Sequence, residues 1–441
     1  MKFKIIFILL TIFIAADLSA AFPFNRYTGE ETQCFTARSL SMGSAGIANS
    51  KGALNALNNP AILGLLNNKL NIQFTTNITK DDEDRAYPIY DSFDSYIEDA
   101  VYVSNAHFFD KYFFGISYNV NFKPLRISAG YTYAPLYDFN FKYEEEVRNN
   151  ENTNYGNEPK KIAINTYDGK GSINAHTPCI AMNLYNKDSF LRSLSVGAGI
   201  SFLKGENEID STIIFTNWAK EQMSTGPDTS FIPDIIYSMK NEYSGIRFQG
   251  GMIIGLGDRI HLGFSYINRT EISKNYKSTN DTVWADTTIY YPSSMGFGLE
   301  YHPRNVWDTK FTIEAKLVKW SDYNILYDDI IEYSAGMEHI TYNGIPIRLG
   351  FRYQPSGRNK EVTLTAFSAG TAIKLPYNFV LDLGIEIGKR NYQEKDLFPD
   401  GYYANEKLWD TTHNELPEDR ENPDKVTNFM INAMTTISWR F

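Results

Sequence analysis

An all-β fold, a closed antiparallel transmembrane β-barrel of about fourteen strands and within roughly twelve to sixteen, is the class this sequence predicts. Three observations predict it. Segments of about ten residues or more alternate strictly between apolar and polar side chains, the period of a strand with two unlike faces. Short and long connections take turns between these segments, as in barrels with tight turns at one rim and long loops at the other. Beyond the first apolar run, no stretch approaches the ~18 uninterrupted apolar residues of a membrane-spanning helix.

That first run opens the chain. Lys2 and Lys4 precede an apolar core from Ile5 to Ala16, and Ser19, Ala20 and Ala21 supply small residues for cleavage. Residues 1–21 read as a secretory signal peptide, since an anchor needs ~20 apolar residues. No cysteine sits at the cleavage point, which argues against a lipoprotein. The formal net charge of −10 becomes −11 once Lys2, Lys4 and Asp17 are removed. An acidic exported chain has no basic patch for phosphates, so nucleic acid is excluded as a partner. Cys34 and Cys179 are the only cysteines. They make no disulfide scaffold, and the sequence leaves open whether they pair.

The alternation is cleanest in the second half. Ile345, Ile347, Leu349, Phe351 and Tyr353 share one face against Arg348, Gly350, Arg352 and Gln354. Phe379, Leu381, Leu383, Ile385 and Ile387 oppose Asp382, Gly384, Glu386 and Gly388. Phe311, Ile313, Ala315 and Leu317 oppose Lys310, Thr312, Glu314 and Lys316, and Leu194 to Phe202 follows the same rule. A soluble sandwich with one wet face alternates too. The segment length favours the membrane, where a tilted strand needs ~9–11 residues.

Aromatic residues are abundant, with 30 Tyr, 29 Phe and 6 Trp. Trp320, Tyr323, Tyr353 and Trp439 fall near segment ends and read as interfacial girdles. Short links are expected at Asn186–Leu191, Leu256–Arg259, His302–Asp308, Tyr342–Gly344 and Pro376–Tyr377. Long, solvated ones are expected at Tyr143–Lys170, Lys204–Asn241 and Asn391–Lys425. The pattern yields about fifteen candidate strands, and a single-chain barrel with both termini at one rim needs an even number. The surplus strand falls within residues 97–142, which leaves fourteen.

The chain ends VTNFMINAMTTISWRF, with Phe429, Ile431, Ala433, Thr435, Ile437, Trp439 and Phe441 on one face. Trp439 and Phe441 thus read as a signal for the outer-membrane barrel assembly machinery. The apolar face meets outer-membrane lipid, and Glu314, Lys316, Arg348, Arg352, Asp382 and Glu386 point into the lumen. A closed barrel also pairs every backbone N–H and C=O in hydrocarbon.

No enzyme motif emerges. The six histidines (His107, His176, His261, His302, His339 and His413) show no paired metal spacing, and no nucleophile elbow or phosphate loop occurs. Asp81, Asp82, Glu83 and Asp84 lack the spaced ligands and glycine of a calcium loop. No catalytic residue, cofactor or metal is expected.

Residues 37–64, ARSLSMGSAGIANSKGALNALNNPAILG, resemble the N-terminal region of the FadL/TodX superfamily of outer-membrane transporters and its PorV-type relatives. The matching features are Ala37-Arg38, Met42-Gly43 with Ala45-Gly46, and the motif Asn59-Pro60-Ala61 after Asn58. Trp320-Ser321 and the terminal aromatic strengthen the likeness. The resemblance implies a fourteen-stranded barrel whose N-terminal segment folds into the lumen as a hatch. It also implies passive inward passage of hydrophobic compounds such as long-chain fatty acids. PorV-type members instead serve protein secretion, so a secretion-system protein is the alternative partner. A general porin is a third reading. No ligand-binding residue carries over to the divergent loops.

The expected division is a signal peptide at 1–21, a hatch at 22–68 and an outer-membrane barrel at 69–441. A barrel this wide leaves a lumen that its wall side chains alone do not fill. Gly52–Leu66, rich in Ala, Leu, Gly and Asn, suits a compact plug, with Pro60 turning the chain back. A helix lying outside the barrel is the alternative.

Overall fold

The computed structural model describes residues 28–48, 51–93, 95–122, 124–149, 159–186, 189–224, 234–279, 283–304, 308–409, 416–417 and 422–441. The signal-peptide reading of residues 1–21 and His413 lie outside the described residues. No helix among the described residues is long and apolar enough to cross a membrane.

The wall is one antiparallel sheet. Its strands are β1 (Leu70–Tyr90), β2 (Tyr96–Phe122), β3 (Leu125–Asp138, resuming at Phe141–Arg148), β4 (Lys161–Tyr185) and β5 (Leu191–Phe215). Next come β6 (Ile235–Leu256), β7 (Ile260–Ile267, resuming at Thr270–Ser278) and β8 (Ala285–Tyr291, resuming at Ser294–Tyr301). The circuit finishes with β9 (Thr309–Val318), β10 (Ile330–Ile340), β11 (Pro346–Pro355), β12 (Thr363–Lys374), β13 (Phe379–Glu394) and β14 (Asp424–Arg440). β14 pairs with β1 from Lys425↔Ala86 to Arg440↔Asn71, so the sheet closes as fourteen strands. Beyond the ladder, Leu70 and Phe441 exchange backbone hydrogen bonds of 2.8 and 2.9 Å.

The alternation sets the two faces. Ile313, Leu349, Phe367, Ile385 and Ile437 stand exposed on the outside, while Glu314, Arg348, Arg352, Asp382 and Glu386 are buried inside. The strand ends that flank the expected short links all fall at the rim that carries Leu70 and Phe441. At the opposite rim the sequence reading needs correcting. Residues 141–148, 161–170, 204–215 and 235–241 are strand, so the wall rises past the ~9–11 residues that a bilayer requires. Glu144 and Glu146 alternate there with buried Tyr143 and Glu145, and charged tips look like loop in a sequence.

The long connections are not simply solvated either. Helix Asn217–Ser224 and the segment 395–409 fold over the rim, burying Phe398, Tyr403 and Leu408 against Tyr143, Ile162 and Phe215. Tyr403 donates to Asn165 Oδ1 at 2.5 Å, and Trp409 Nε1 donates to the Tyr403 carbonyl at 2.7 Å. Trp320 is likewise no girdle residue. It is buried in a short turn, with its ring 6.2 Å from that of Tyr323. Trp439 does lie at the exposed rim, stacked on Phe379 at 6.1 Å.

Candidate functional site

Residues 28–48 and 51–66 lie inside the barrel. Thr36 caps a helical turn α1 (Ala37–Leu40), a 3-10 turn spans Ala53–Leu57, and a second turn α2 covers Ile62–Leu65. None is long enough to hold itself together, so the wall must support them.

It does so with polar side chains from nearly every direction. The Glu314 carboxylate accepts backbone N–H bonds from Gly46, Ile47 and Ala48 at 2.8, 2.8 and 3.1 Å. Asn71 and Gln73 on β1 accept from Ala53 and Leu54, and Ser368 on β12 accepts from Gly43. Ser128, Ser195 and Gln249 donate to the carbonyls of Leu63, Ala61 and Ala56. A buried ion-pair chain anchors α1. Arg38 makes a two-pronged contact to Glu338 at 3.0 and 3.1 Å, Arg348 joins Glu338 at 2.8 Å, and Arg348 reaches Asp382 at 2.7 Å. The lumen charges read from the sequence therefore largely face the N-terminal segment or its anchors.

The motif Asn58-Asn59-Pro60-Ala61 sits at the middle of this segment. Asn59 is fully buried, and its Nδ2 donates to the Ile47 carbonyl at 2.8 Å and to the Phe264 carbonyl of β7 at 3.1 Å. Its Oδ1 accepts from Ala61 N at 3.1 Å. One amide thus ties both limbs of the segment to the wall. Pro60 parts the 3-10 turn from α2, and Asn58 is half-buried.

Close approach depends on inward glycines. A Cβ at Gly350 would overlap the Gly43 backbone, and one at Gly197 would stand 2.5 Å from Pro60. G350V is expected to weaken docking of residues 42–46 by about 1–3 kcal/mol. Limited proteolysis should then cut within residues 38–66 faster than in the parent. A Cβ at Gly250 would meet only the Gly197 carbonyl oxygen, at 4.0 Å, so G250A should leave cleavage unchanged.

Above α1 lies a packed apolar cluster. The β2–β3 ladder ends at Phe114↔Tyr133; beyond it Ala134–Asp138 stay paired with β4 but part from β2, and on that side Tyr137 and Asp138 pair with the two-residue strand Glu30–Glu31. Residues 106–113 of β2 consequently lack ladder partners on that side. Pro135, with no N–H to donate, and a register shift beside it explain the departure. The parting brings Leu136, Tyr137 and Phe139 into a cluster with Phe35, Tyr243, Ile272 and Tyr291. Tyr137 and Tyr291 pack at 3.9 Å, Phe139 stacks on Tyr243 at 5.3 Å, and the Tyr291 hydroxyl donates to the Thr28 carbonyl. Cys34 lies in this cluster, where burial pushes its thiol up to about 12; both cysteines are buried and free. None of these cluster residues emerged from the sequence reading. Pro135 in the middle of a strand was the available signal.

No family profile matches the chain, and no curated protein matches it by sequence. Solved structures do match. A FadL homologue from Pseudomonas aeruginosa is 12% identical with a TM-score of 0.57, over 94% of this chain and 100% of that one. The toluene transporter TbuX of Ralstonia pickettii is 13% identical with a TM-score of 0.55, over 93% and 99%. The toluene transporter TodX of Pseudomonas putida gives the same identity, score and coverage. Closed fourteen-stranded wall and near-complete coverage agree: this chain has the fold of the FadL/TodX outer-membrane transporters.

Proposed function

We propose that this chain is a bacterial outer-membrane barrel that lets hydrophobic compounds such as long-chain fatty acids cross passively, with its N-terminal segment as hatch. The apolar cluster of Phe35, Tyr137, Phe139 and Tyr291, packed within the barrel, carries this reading, because a water-filled porin has a polar interior. The named function of the similar structures, toluene transport among them, points the same way. Arg247 adds a preference. It is buried beside this cluster, on a cavity of about 60 Å³, with Nε and Nη2 unpartnered, which suits the carboxylate of an amphipathic ligand.

The described arrangement is shut. The cavities beside residues 30–34 hold about 90 and 60 Å³, against the ~300 Å³ or more of a small-molecule site. Passage therefore needs movement of the N-terminal arm or of the hatch. The unpaired stretch between β2 and β3 offers a sideways route into the membrane. The terminal Trp439 and Phe441 serve as the assembly signal.

Liposomes carrying the purified protein should take up long-chain fatty acid faster than empty ones. R247M should slow fatty-acid uptake more than toluene uptake, and deletion of residues 38–66 should raise ion conductance in planar bilayers. Uptake no faster than in empty liposomes would sink the transport reading. A stable complex with an exported protein, alongside that failure, would replace it with the PorV-like role.

A further inference from the structure

We propose that His261, Glu300 and His302 form a binding site for a divalent transition metal of the zinc class at the short-turn mouth of the lumen. His261 is the second residue of β7, and Glu300, its direct cross-strand partner, is the last but one of β8. His302 follows in the next turn. Their ligand atoms all lie within 4.8 Å of one another. Both rings already converge on one carboxylate oxygen, His261 Nδ1 at 3.2 Å and His302 Nε2 at 2.6 Å from Glu300 Oε1.

The donor set selects the ion. Two imidazole nitrogens and one carboxylate are the protein ligands of open zinc sites, where a fourth position is left to water or a small ligand. Magnesium and calcium favour all-oxygen shells. Tetrahedral coordination at Zn–N and Zn–O distances of ~2.0–2.1 Å sets neighbouring ligands a little over 3 Å apart. The His261 separation of 3.2 Å is near that value, so binding needs the 2.6 Å His302 contact to lengthen and the gap between the rings to close. Glu300 is buried, which holds one ligand in place, and both histidines are half-buried. The triad faces a cavity of about 680 Å³ below the hatch, where the fourth position would open. Lys51 and Lys310 line the same cavity. Their charge opposes a bare cation and favours an anionic fourth ligand. A bound metal would clamp β7 to β8 next to Ala48.

The test uses tag-free, full-length protein in detergent, titrated with Zn²⁺ by calorimetry and with Co²⁺ by visible absorption. One metal per chain is expected, with a cobalt spectrum of nitrogen and oxygen ligation and no competition from Mg²⁺. H261A and H302A should each weaken binding at least about tenfold. His302 lies outside the ladder, so H302A tests the site even where H261A fails to assemble. H176A, at an exposed ring that bonds Tyr131, should leave binding unchanged. Substoichiometric metal, or affinity unaltered in H302A, would overturn the site and leave a plain hydrogen-bonded triad.

Discussion

Glu338→Ala is expected to release α1 from the wall. Glu338 is the shared acceptor of Arg38 and Arg348, and its side chain is only 2% exposed. Removing it leaves Arg38 buried without its acid, while Arg348 keeps Asp382 at 2.7 Å. Breaking a buried pair in this one-sided way costs about 3–5 kcal/mol. Arg38→Met should cost less, because Glu338 then still holds Arg348. Cleavage by an added protease within residues 38–66 reads the difference, with E338A cut fastest, R38M next and the parent slowest. Equal resistance in all three would mean that the ion-pair chain does not hold the segment. The double variant R38M/E338A should fall near R38M, since the buried cation that loses its acid in E338A is gone.

The second large effect belongs to Glu314→Ala. Three buried N–H groups, of Gly46, Ile47 and Ala48, lose their acceptor together. A hydrogen bond to a charged group contributes ~1.5–3 kcal/mol, so docking should weaken by on the order of 3 kcal/mol or more. That corresponds to about a hundredfold rise in the undocked population. Planar bilayers containing E314A should show frequent conducting openings that the parent lacks. Glu314→Gln retains one acceptor oxygen, turns an amide donor toward the remaining N–H, and should fall between the two. A silent E314A barrel would show that these bonds do not keep the lumen shut.

Both predictions rest on contacts that a sequence does not display. Arg38 and Glu338 stand 300 positions apart, and Glu314 and Gly46 stand 268 apart. The composition of the inner face was legible, but not what it touches. Gly350 and Gly197 read as part of a polar face, whereas in the fold they are clearances for the backbone of Gly43 and Pro60. His261 and Glu300 show no shared spacing in sequence, being 39 residues apart, yet strand register sets them side by side.

The barrel itself was readable because its cause is local. A period of two puts Leu349 outside and Arg348 inside whatever the rest of the chain does, and lipid against one face requires that period throughout. The tight turns at 257–259 and 341–345 were readable for the same reason. Where β1 and β3 stop was not. Ladder pairing carries Asp81 to Asp84 and Glu144 to Glu146 as strand, although their charges suggest loop. By itself, then, the sequence determined the wall, its two faces and its closing strand, since each follows from alternation within a dozen residues. Only the tertiary structure decided what fills the lumen, where β3 parts from β2 and which side chains meet there. Those features come from closing the sheet, which brings distant strands around one segment and makes its buried backbone find partners across the barrel.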